Sequence, residues 1–221
     1  MADTAPKQVR DYYKVLLISQ SGKGKTYSFR NMNPETFGFV NVENKPLPFK
    51  NSFKNHERPE DYVAAYNALV KFAKDPKIEA IGFDSFSAWT DMLLATARAN
   101  YKGFDIWNFY NGEIARFLTT LKKIQKEVYL TGHYEIIGME GNMEKRLKVK
   151  GKEWEGVCEK EFSLVLFGDN KFEDNGKPDY FFRLVEENTS AKCPPGILGE
   201  DVHKIPNDIK SLHEAILEFV K

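Results

Sequence analysis

The sequence predicts an α/β fold with a mostly parallel central sheet, flanking helices and antiparallel strands late in the chain. Short apolar runs typical of buried strands alternate with segments of helical period. A loop rich in Gly and Lys, residues 19–26, follows the first of these runs. Two late apolar runs, 162–167 and 180–185, flank a polar turn at 169–178 and indicate a hairpin. Alternating strands and helices favour a parallel sheet that is covered on both faces.

The first strand and the loop after it carry the clearest chemical signal. Residues 15–18 are apolar, the loop ends in Gly-Lys-Thr, and residues 27–30 can begin a helix. A strand, a Gly-rich loop and a helix in this order are the context of a phosphate-binding loop. The usual pattern begins with Gly, whereas Ser19 stands there in this chain. The alternative is an ordinary surface turn rich in Gly and Lys.

In a phosphate-binding loop each residue type has a physical task. Gly22 and Gly24 allow backbone N–H groups to turn towards a phosphate chain. Lys25 is predicted to contact the β- and γ-phosphates of ATP, and the Thr26 hydroxyl to bind Mg²⁺. The predicted nucleotide-binding residues are Ser21, Gly22, Lys23, Gly24, Lys25, Thr26 and Tyr27.

The remaining elements follow from local patterns along the chain. Strands are predicted at 37–43, 78–84 and 128–131, and helices at 59–74, from 85 onwards, at 107–125 and from about 207. Two Pro residues and several Lys and Asn predict a long loop at 44–58. Residues 134–160 are Gly-rich and charged, which predicts an irregular segment.

Three strand ends place polar residues where a phosphate loop would lie. Asp84 is predicted to hold the Mg²⁺ shell opposite Thr26, or else it caps the next helix, for which Ser85 is the better candidate. Glu43 is predicted to orient an attacking water, or is a solvated loop residue. His133 either senses the γ-phosphate or fills a polar edge.

Composition limits the class of protein. Lys plus Arg and Asp plus Glu each number 32, so a nucleic-acid-binding surface would have to be local. Hydrophobic residues make up 42%, which is enough for a core. We expect one domain over 1–221, with 1–11 flexible, no membrane span, and two reduced thiols in a cytoplasmic protein. The scattered histidines show no zinc pattern.

Together these segments resemble the RecA-like P-loop ATPases, and most closely the short phage-encoded ATP-binding proteins that contain only the recombinase core. The resemblance runs from residue 14 to about 199, and its segments are 19–26, 40–43, 81–85, 130–133 and 189–192. The chain departs from the pattern at Ser19, and at His133, where bacterial recombinases have Gln. Lys192 is followed by Cys193 and Pro194 rather than by a second basic residue.

The resemblance implies several roles. Glu43 would activate water, the segment around His133 would relay nucleotide state to a DNA-binding loop, and Lys192 would contact nucleotide across a subunit interface. It also implies ATP and Mg²⁺ as cofactors, single-stranded DNA as partner, a homo-oligomer, a phage single-strand-binding protein as a further partner, and the host cytoplasm as location.

A basic run after His133 is the predicted DNA-binding segment. Residues 145–152 contain five basic residues and no acid. If the run is extended, Leu147 and Val149 lie on one side and most of the basic side chains on the other. The basic residues are Lys145, Arg146, Lys148, Lys150 and Lys152. Acidic residues flank the run, so a merely solvated charged hairpin is the alternative.

The predicted activity is hydrolysis of ATP in phage recombination, annealing or replication, stimulated by single-stranded DNA. One alternative is a nucleotide-dependent switch with negligible hydrolysis. Another is a small-molecule phosphotransferase, although the Arg-rich lid usual in such kinases is missing from the sequence.

Overall fold

A central eight-stranded sheet organises the chain, of which the computed structural model describes residues 10–50, 53–139 and 142–221. The predicted flexible N-terminal residues lie, up to residue 9, outside the described part. The strands are β1 (Lys14–Ile18), β2 (Phe37–Asn41), β3 (Asn55–Glu57), β4 (Ala80–Asp84), β5 (Glu127–Gly132), β6 (Tyr134–Met139), β7 (Asn142–Leu147), β8 (Leu164–Phe172), β9 (Pro178–Arg183) and β10 (Lys204–Pro206).

Helices connect and cover these strands. They are α1 (Tyr62–Lys74), α2 (Phe86–Asn100), α3 (Asp105–Lys123), α4 (Pro195–Leu198) and α5 (Ile209–Phe219). Two short 3-10 helices lie at Thr26–Asn31 and Cys158–Glu161. Among the described residues no helix has the length and apolar character that crossing a membrane requires.

The strand order in the sheet is β10-β9-β8-β1-β5-β4-β2-β3. β1 lies in the interior and pairs in parallel with both β5 and β8, so that Leu16 faces Leu130 on one side and Val165 on the other. The late strands β8, β9 and β10 pair antiparallel. The predicted fold class, a mostly parallel α/β sheet with late antiparallel strands, is therefore confirmed.

Both faces of β1 are buried, and alternate residues belong to different halves of the core. Leu16 and Ile18 pack in the cluster that includes α1, α2 and α3, whereas Val15 and Leu17 pack in the cluster that includes α5. Side chains of a strand alternate between its faces, so a strand between two helical layers must be apolar throughout. This explains why the strand is a continuous apolar run.

Side-chain caps fix where the principal helices begin. The Asp61 carboxylate accepts a hydrogen bond from the Ala64 amide at 2.7 Å and starts α1. The Ser85 hydroxyl oxygen accepts one from the Ala88 amide at 3.2 Å and starts α2. Ser85 thus caps this helix, as the sequence suggested, which leaves Asp84 free for other contacts.

Three sequence expectations about local structure were wrong. The segment 134–160 is not irregular throughout, because β6 and β7 form an antiparallel hairpin in it. Ile136 and Met139 in this hairpin are exposed, so the sequence of 134–144 shows no regular alternation of buried and exposed residues. The loop 44–58 contains β3, and the turn after β8 is shorter than predicted because polar residues Asp169, Asn170 and Lys171 pair within the strand.

Candidate functional site

A cleft of about 480 Å³ opens at the carboxyl ends of β1, β2, β4 and β5. This is the edge at which open α/β sheets bind ligands. The cleft is lined by Ser21, Gly22, Gly24, Lys25, Thr26, Tyr27, Asn41, Glu43, Lys45, Pro46, Pro48, Asp84, His133 and Tyr180. The structure therefore brings six of the seven predicted phosphate-loop residues together with the three strand-end residues.

The loop after β1 has backbone conformations that favour glycine. Gly22 and Gly24 have φ values of 78° and 82°, in the left-handed region that residues with a Cβ seldom adopt. At Gly24 a Cβ would also lie 3.0 Å from both the Tyr180 ring and Asn207 Nδ2. The loop is followed by a 3-10 helix, Thr26–Asn31, rather than by a regular α-helix.

Lys25 is folded back onto its own loop. Its Nζ donates to the carbonyl oxygens of Ser19 and Gln20, each at 2.9 Å, and lies 3.1 Å from Ser19 Oγ. The side chain is only 7% exposed, and burial lowers the pKa of Lys25 to about 8. A buried ammonium held by neutral carbonyls can exchange them for an anion, because charged phosphate oxygens form stronger hydrogen bonds with it than neutral carbonyl oxygens do.

Ser19 occupies the position of the first Gly of the usual motif and is accommodated beside β8. It is fully buried, and its Oγ donates to the Gln20 carbonyl at 3.0 Å. The residue facing it on β8 is Gly168, where an added Cβ would lie 3.2 Å from the Ser19 Cβ. The neighbouring strand thus leaves the space that the serine side chain needs.

Asp84, at the end of β4, is buried and bonded by two hydroxyl groups. Thr26 Oγ1 donates to Oδ2 at 2.7 Å, and Thr131 Oγ1 donates to Oδ1. Burial raises the pKa of Asp84, and these hydrogen bonds oppose that shift. A cation beside this carboxylate would offset the cost of burying its charge.

The oxygen ligands present fit Mg²⁺ rather than a metal that needs a full protein cage. Within residues 10–50, 53–139 and 142–221, no three or more His, Cys, Asp or Glu side chains cluster as metal ligands. Mg²⁺ is usually bound by one or two carboxylates together with substrate phosphates and water. Thr26 and Asp84 supply a hydroxyl and a carboxylate at adjacent positions in the cleft.

Glu43, just beyond β2, is held by three donors. Lys45 Nζ lies 2.6 Å from Oε2, while Ser85 Oγ donates to Oε1 at 3.2 Å and His133 Nε2 lies 3.4 Å from Oε1. The hydrogen bond from His133 is the largest cause that lowers the pKa of Glu43 to about 2. The carboxylate is therefore ionised and oriented, and suited to accepting a hydrogen bond from water.

Other predicted residues lie away from the cleft. Lys23 Nζ binds Asp169 Oδ1 at 2.9 Å and Asn170 Oδ1 at 2.5 Å, so it ties the loop to β8 instead of lining the cleft. Lys192 pairs its backbone with Val165, and its Nζ donates to the Lys160 carbonyl at 3.4 Å. Its predicted contact with nucleotide across a subunit interface stays a prediction.

The basic run is divided between paired and open positions. Lys145 Nζ lies 2.6 Å from Glu186 Oε1, and Arg146 Nη2 lies 2.5 Å from Glu144 Oε2. Lys150 and Lys152 are exposed, and Lys148 is half-buried. Leu147 and Val149 are buried, as the alternation in the sequence predicted for an extended run.

Several residues in or beside the cleft were not predicted from the sequence. Asn41 and Lys45 flank Glu43 closely in sequence, and this proximity was the available signal. Tyr180 reaches the cleft only because β9 lies beside β8 and β8 beside β1, an order that local patterns do not reveal. Asn207, whose Nδ2 donates to the Gly24 carbonyl at 3.1 Å, is likewise distant in sequence.

Comparisons with known proteins do not place the chain in a family. No protein-family model matches the chain, and no curated protein matches it. A similar solved structure is that of a KaiC-like protein from the hyperthermophilic archaeon Pyrococcus horikoshii OT3, with 16% identity, 77% of each chain covered and a TM-score of 0.46. At this identity and TM-score the similarity supports no argument about ligand, activity or partner.

Proposed function

We propose that this chain is a RecA-like P-loop ATPase that acts on single-stranded DNA in phage recombination, annealing or replication. The observation that carries the proposal is the meeting of Lys25, Thr26, Asp84 and Glu43 in one cleft at the carboxyl edge of a parallel sheet. An ammonium, a hydroxyl beside a carboxylate and a second, oriented carboxylate are the groups that hydrolysis of a nucleoside triphosphate needs.

Each side chain has a distinct task in this proposal. Lys25 exchanges its carbonyl partners for phosphate oxygens. Thr26 and Asp84 hold Mg²⁺, which when bound supplies positive charge against the phosphate oxygens. Glu43 accepts a hydrogen bond from the attacking water and orients it. Tyr27 and Tyr180, with ring centroids 6.3 Å apart at the cleft, offer aromatic faces for a purine base.

The DNA part of the proposal is supported by position and charge. The run 145–152 begins in β7, which pairs with the β6 strand that starts after His133, and the Lys148 amide donates to the His133 carbonyl at 2.8 Å. A ligand that moves His133 would therefore also displace Lys148 within the run. Exposed Lys150 and Lys152 suit contacts with phosphates along a single strand. A homo-oligomer and a phage single-strand-binding protein remain proposed partners.

A nucleotide switch with negligible hydrolysis is the second candidate, and one contact favours it. Lys45 Nζ lies 2.6 Å from Glu43 Oε2, so it takes one of the acceptor sites of that oxygen and competes with water for it while the pair persists. A protein whose pair stayed closed with ATP bound would bind nucleotide without turning it over.

Steady-state ATP turnover and filter binding, each measured with single-stranded, double-stranded and no DNA, test the proposal. We expect Mg²⁺-dependent hydrolysis that single-stranded DNA stimulates. Binding of ATP without turnover under all three conditions would favour the switch. Failure to bind ATP and Mg²⁺ would remove both candidates.

A further inference from the structure

The turn after β2 places a second ammonium group in the cleft. Asn44 has a left-handed φ of 54°, and Asn41 Nδ2 donates to the Lys45 carbonyl at 2.8 Å. These features fold the chain back within four residues, so that Lys45 lies over Glu43 and lines the same cleft as Lys25. The positive charge of Lys45 also adds to burial in lowering the pKa of Lys25, as expected for two cations that face one space.

The two oxygens of Glu43 have different kinds of partner. Oε1 is held by Ser85 and His133, which directly follow β4 and β5 at the carboxyl ends of these strands. Oε2 is held by Lys45 alone among the described residues, and the Lys45 side chain is 73% exposed whereas that of Glu43 is 19% exposed. The carboxylate is therefore fixed and the lysine is the movable partner. An ion pair with an exposed, flexible lysine contributes little net stability and is easily exchanged.

We propose that Lys45 binds the terminal phosphate of a nucleoside triphosphate and, in doing so, releases Glu43 Oε2 to bind the attacking water. The inference rests on the proposed function, because it requires a phosphate chain on the loop at Lys25. A terminal phosphate carries more negative charge than a carboxylate and accepts charge-assisted hydrogen bonds readily. A diphosphate lacks that phosphate, so Lys45 stays on Glu43 and continues to compete with water for Oε2.

In this proposal Lys45 has two roles: it detects the terminal phosphate, and it competes with water for Glu43 when that phosphate is absent. Oε1 keeps its bonds to Ser85 and His133 throughout, so Glu43 retains its orientation when Oε2 becomes free. Water is then oriented only when there is a terminal phosphate to attack. This differs from a purely structural ion pair, which would make no distinction between ATP and ADP.

The test is the preference for triphosphate over diphosphate, measured by titration with Mg²⁺ and either a non-hydrolysable ATP analogue or ADP. Lys45→Ala should reduce the ratio of the two affinities by about tenfold or more, the loss of a charge-assisted bond, with ADP affinity unchanged. Lys71→Ala is the matched control, since Lys71 forms an equally short 2.6 Å pair with Glu57 and is 64% exposed, but lies on α1 outside the cleft. It should leave the ratio unchanged.

A second pair of variants separates sensing from pairing. Glu43→Gln frees Lys45 and should raise affinity for the ATP analogue, and adding Lys45→Ala in that background should again lower it about tenfold. If Lys45→Ala leaves the ratio unchanged in both backgrounds while wild type binds both nucleotides, Lys45 is only a structural partner and the inference is wrong. If wild type binds neither nucleotide, the proposed function fails, and the inference fails with it.

Discussion

The cleft and the β6–β7 hairpin both lie at the end of β5, but they differ in how far their side chains are buried. In the cleft, the Asp84 carboxylate is buried and is held by both Thr26 and Thr131. In the hairpin, Ile136 and Met139 are exposed and the charges pair locally or face solvent. A buried polar site keeps its geometry because every displacement leaves a group unsatisfied. An exposed hairpin has few such constraints and can follow what happens at its base.

The root of the hairpin is where the two regions join. Leu147 is buried, its amide donates to Glu159 Oε1 at 2.9 Å, and its side chain fills the space where a Cβ of Gly132 would lie. The next residue bonds the His133 carbonyl through its amide. The hairpin is thus firmly anchored at one end and exposed towards the other.

The largest expected effect concerns Glu43. Glu43→Gln should lower ATP turnover by roughly 10²–10⁴-fold, the usual contribution of a positioned acid or base, while nucleotide stays bound. Turnover and nucleotide affinity measured on the same preparation check this. Asp84→Asn serves as the contrast, because it should weaken Mg²⁺-dependent binding as well. Normal hydrolysis by Glu43→Gln would mean that water is oriented by another group.

The next effect compares the two ends of the hairpin. Leu147→Ala should lower the free energy of unfolding by about 2–5 kcal/mol, because it leaves a cavity at a buried site. Met139→Ala, at a side chain that is 85% exposed, should change it by less than about 0.5 kcal/mol. Denaturant unfolding of both variants gives the comparison. Equal losses would show that the hairpin is buried along its whole length.

Removal of the loop ammonium should weaken nucleotide binding without unfolding the protein. Lys25→Ala deletes charge-assisted bonds worth roughly 1.5–3 kcal/mol, so ATP affinity should fall at least tenfold. Circular dichroism confirms folding and equilibrium titration gives the affinity. A folded variant with unchanged affinity would place the phosphates elsewhere.

The same lysine predicts a dependence of binding on pH. Its pKa in the free protein is lowered to about 8 from 10.5, so the ammonium is present below pH 8 and is lost as pH rises through that value. Binding a polyphosphate then requires proton uptake, and affinity should fall by up to about tenfold per pH unit above 8. Titrations from pH 7 to 9.5 should show this fall in wild type. Lys25→Ala should lack it, and a fall of the same size in that variant would assign the titration to another group.

The smallest expected effect is on DNA binding by the open part of the basic run. Replacing Lys148, Lys150 and Lys152 with Ala removes three cations, each worth about 0.7 log units of salt dependence on single strands. The slope of log affinity against log salt should therefore flatten by roughly two units, with ATP binding unchanged. Oligonucleotide affinity at several salt concentrations measures this. The same slope in both proteins would mean that DNA contacts lie outside the run.

The cleft and the hairpin also differ in how much of them could be predicted from the sequence. The loop 19–26 and the residues after β2, β4 and β5 could be predicted to meet, because parallel strands bring their carboxyl ends to one edge. Tyr180 and Asn207 could not, since their approach depends on the order of strands in the sheet. Lys45 lies two residues after Glu43, but its bond to that carboxylate depends on how the turn folds and is seen only in the structure. The hairpin was missed because Ile136, Met139 and Met143 are exposed, and a buried Leu147 gives no periodic signal by itself.

The position of β1 between β5 and β8 has a consequence for synthesis of the chain. A ribosome that has produced residues up to about the end of β7 has released the whole phosphate loop, yet β1 still lacks its β8 neighbour. The anchors of that loop at Asp169, Asn170 and Asn207 are also still to come. The partial sheet of the nascent protein therefore ends at β1, whose apolar edge is unpaired. The loop can acquire its final shape only after the last quarter of the chain has emerged.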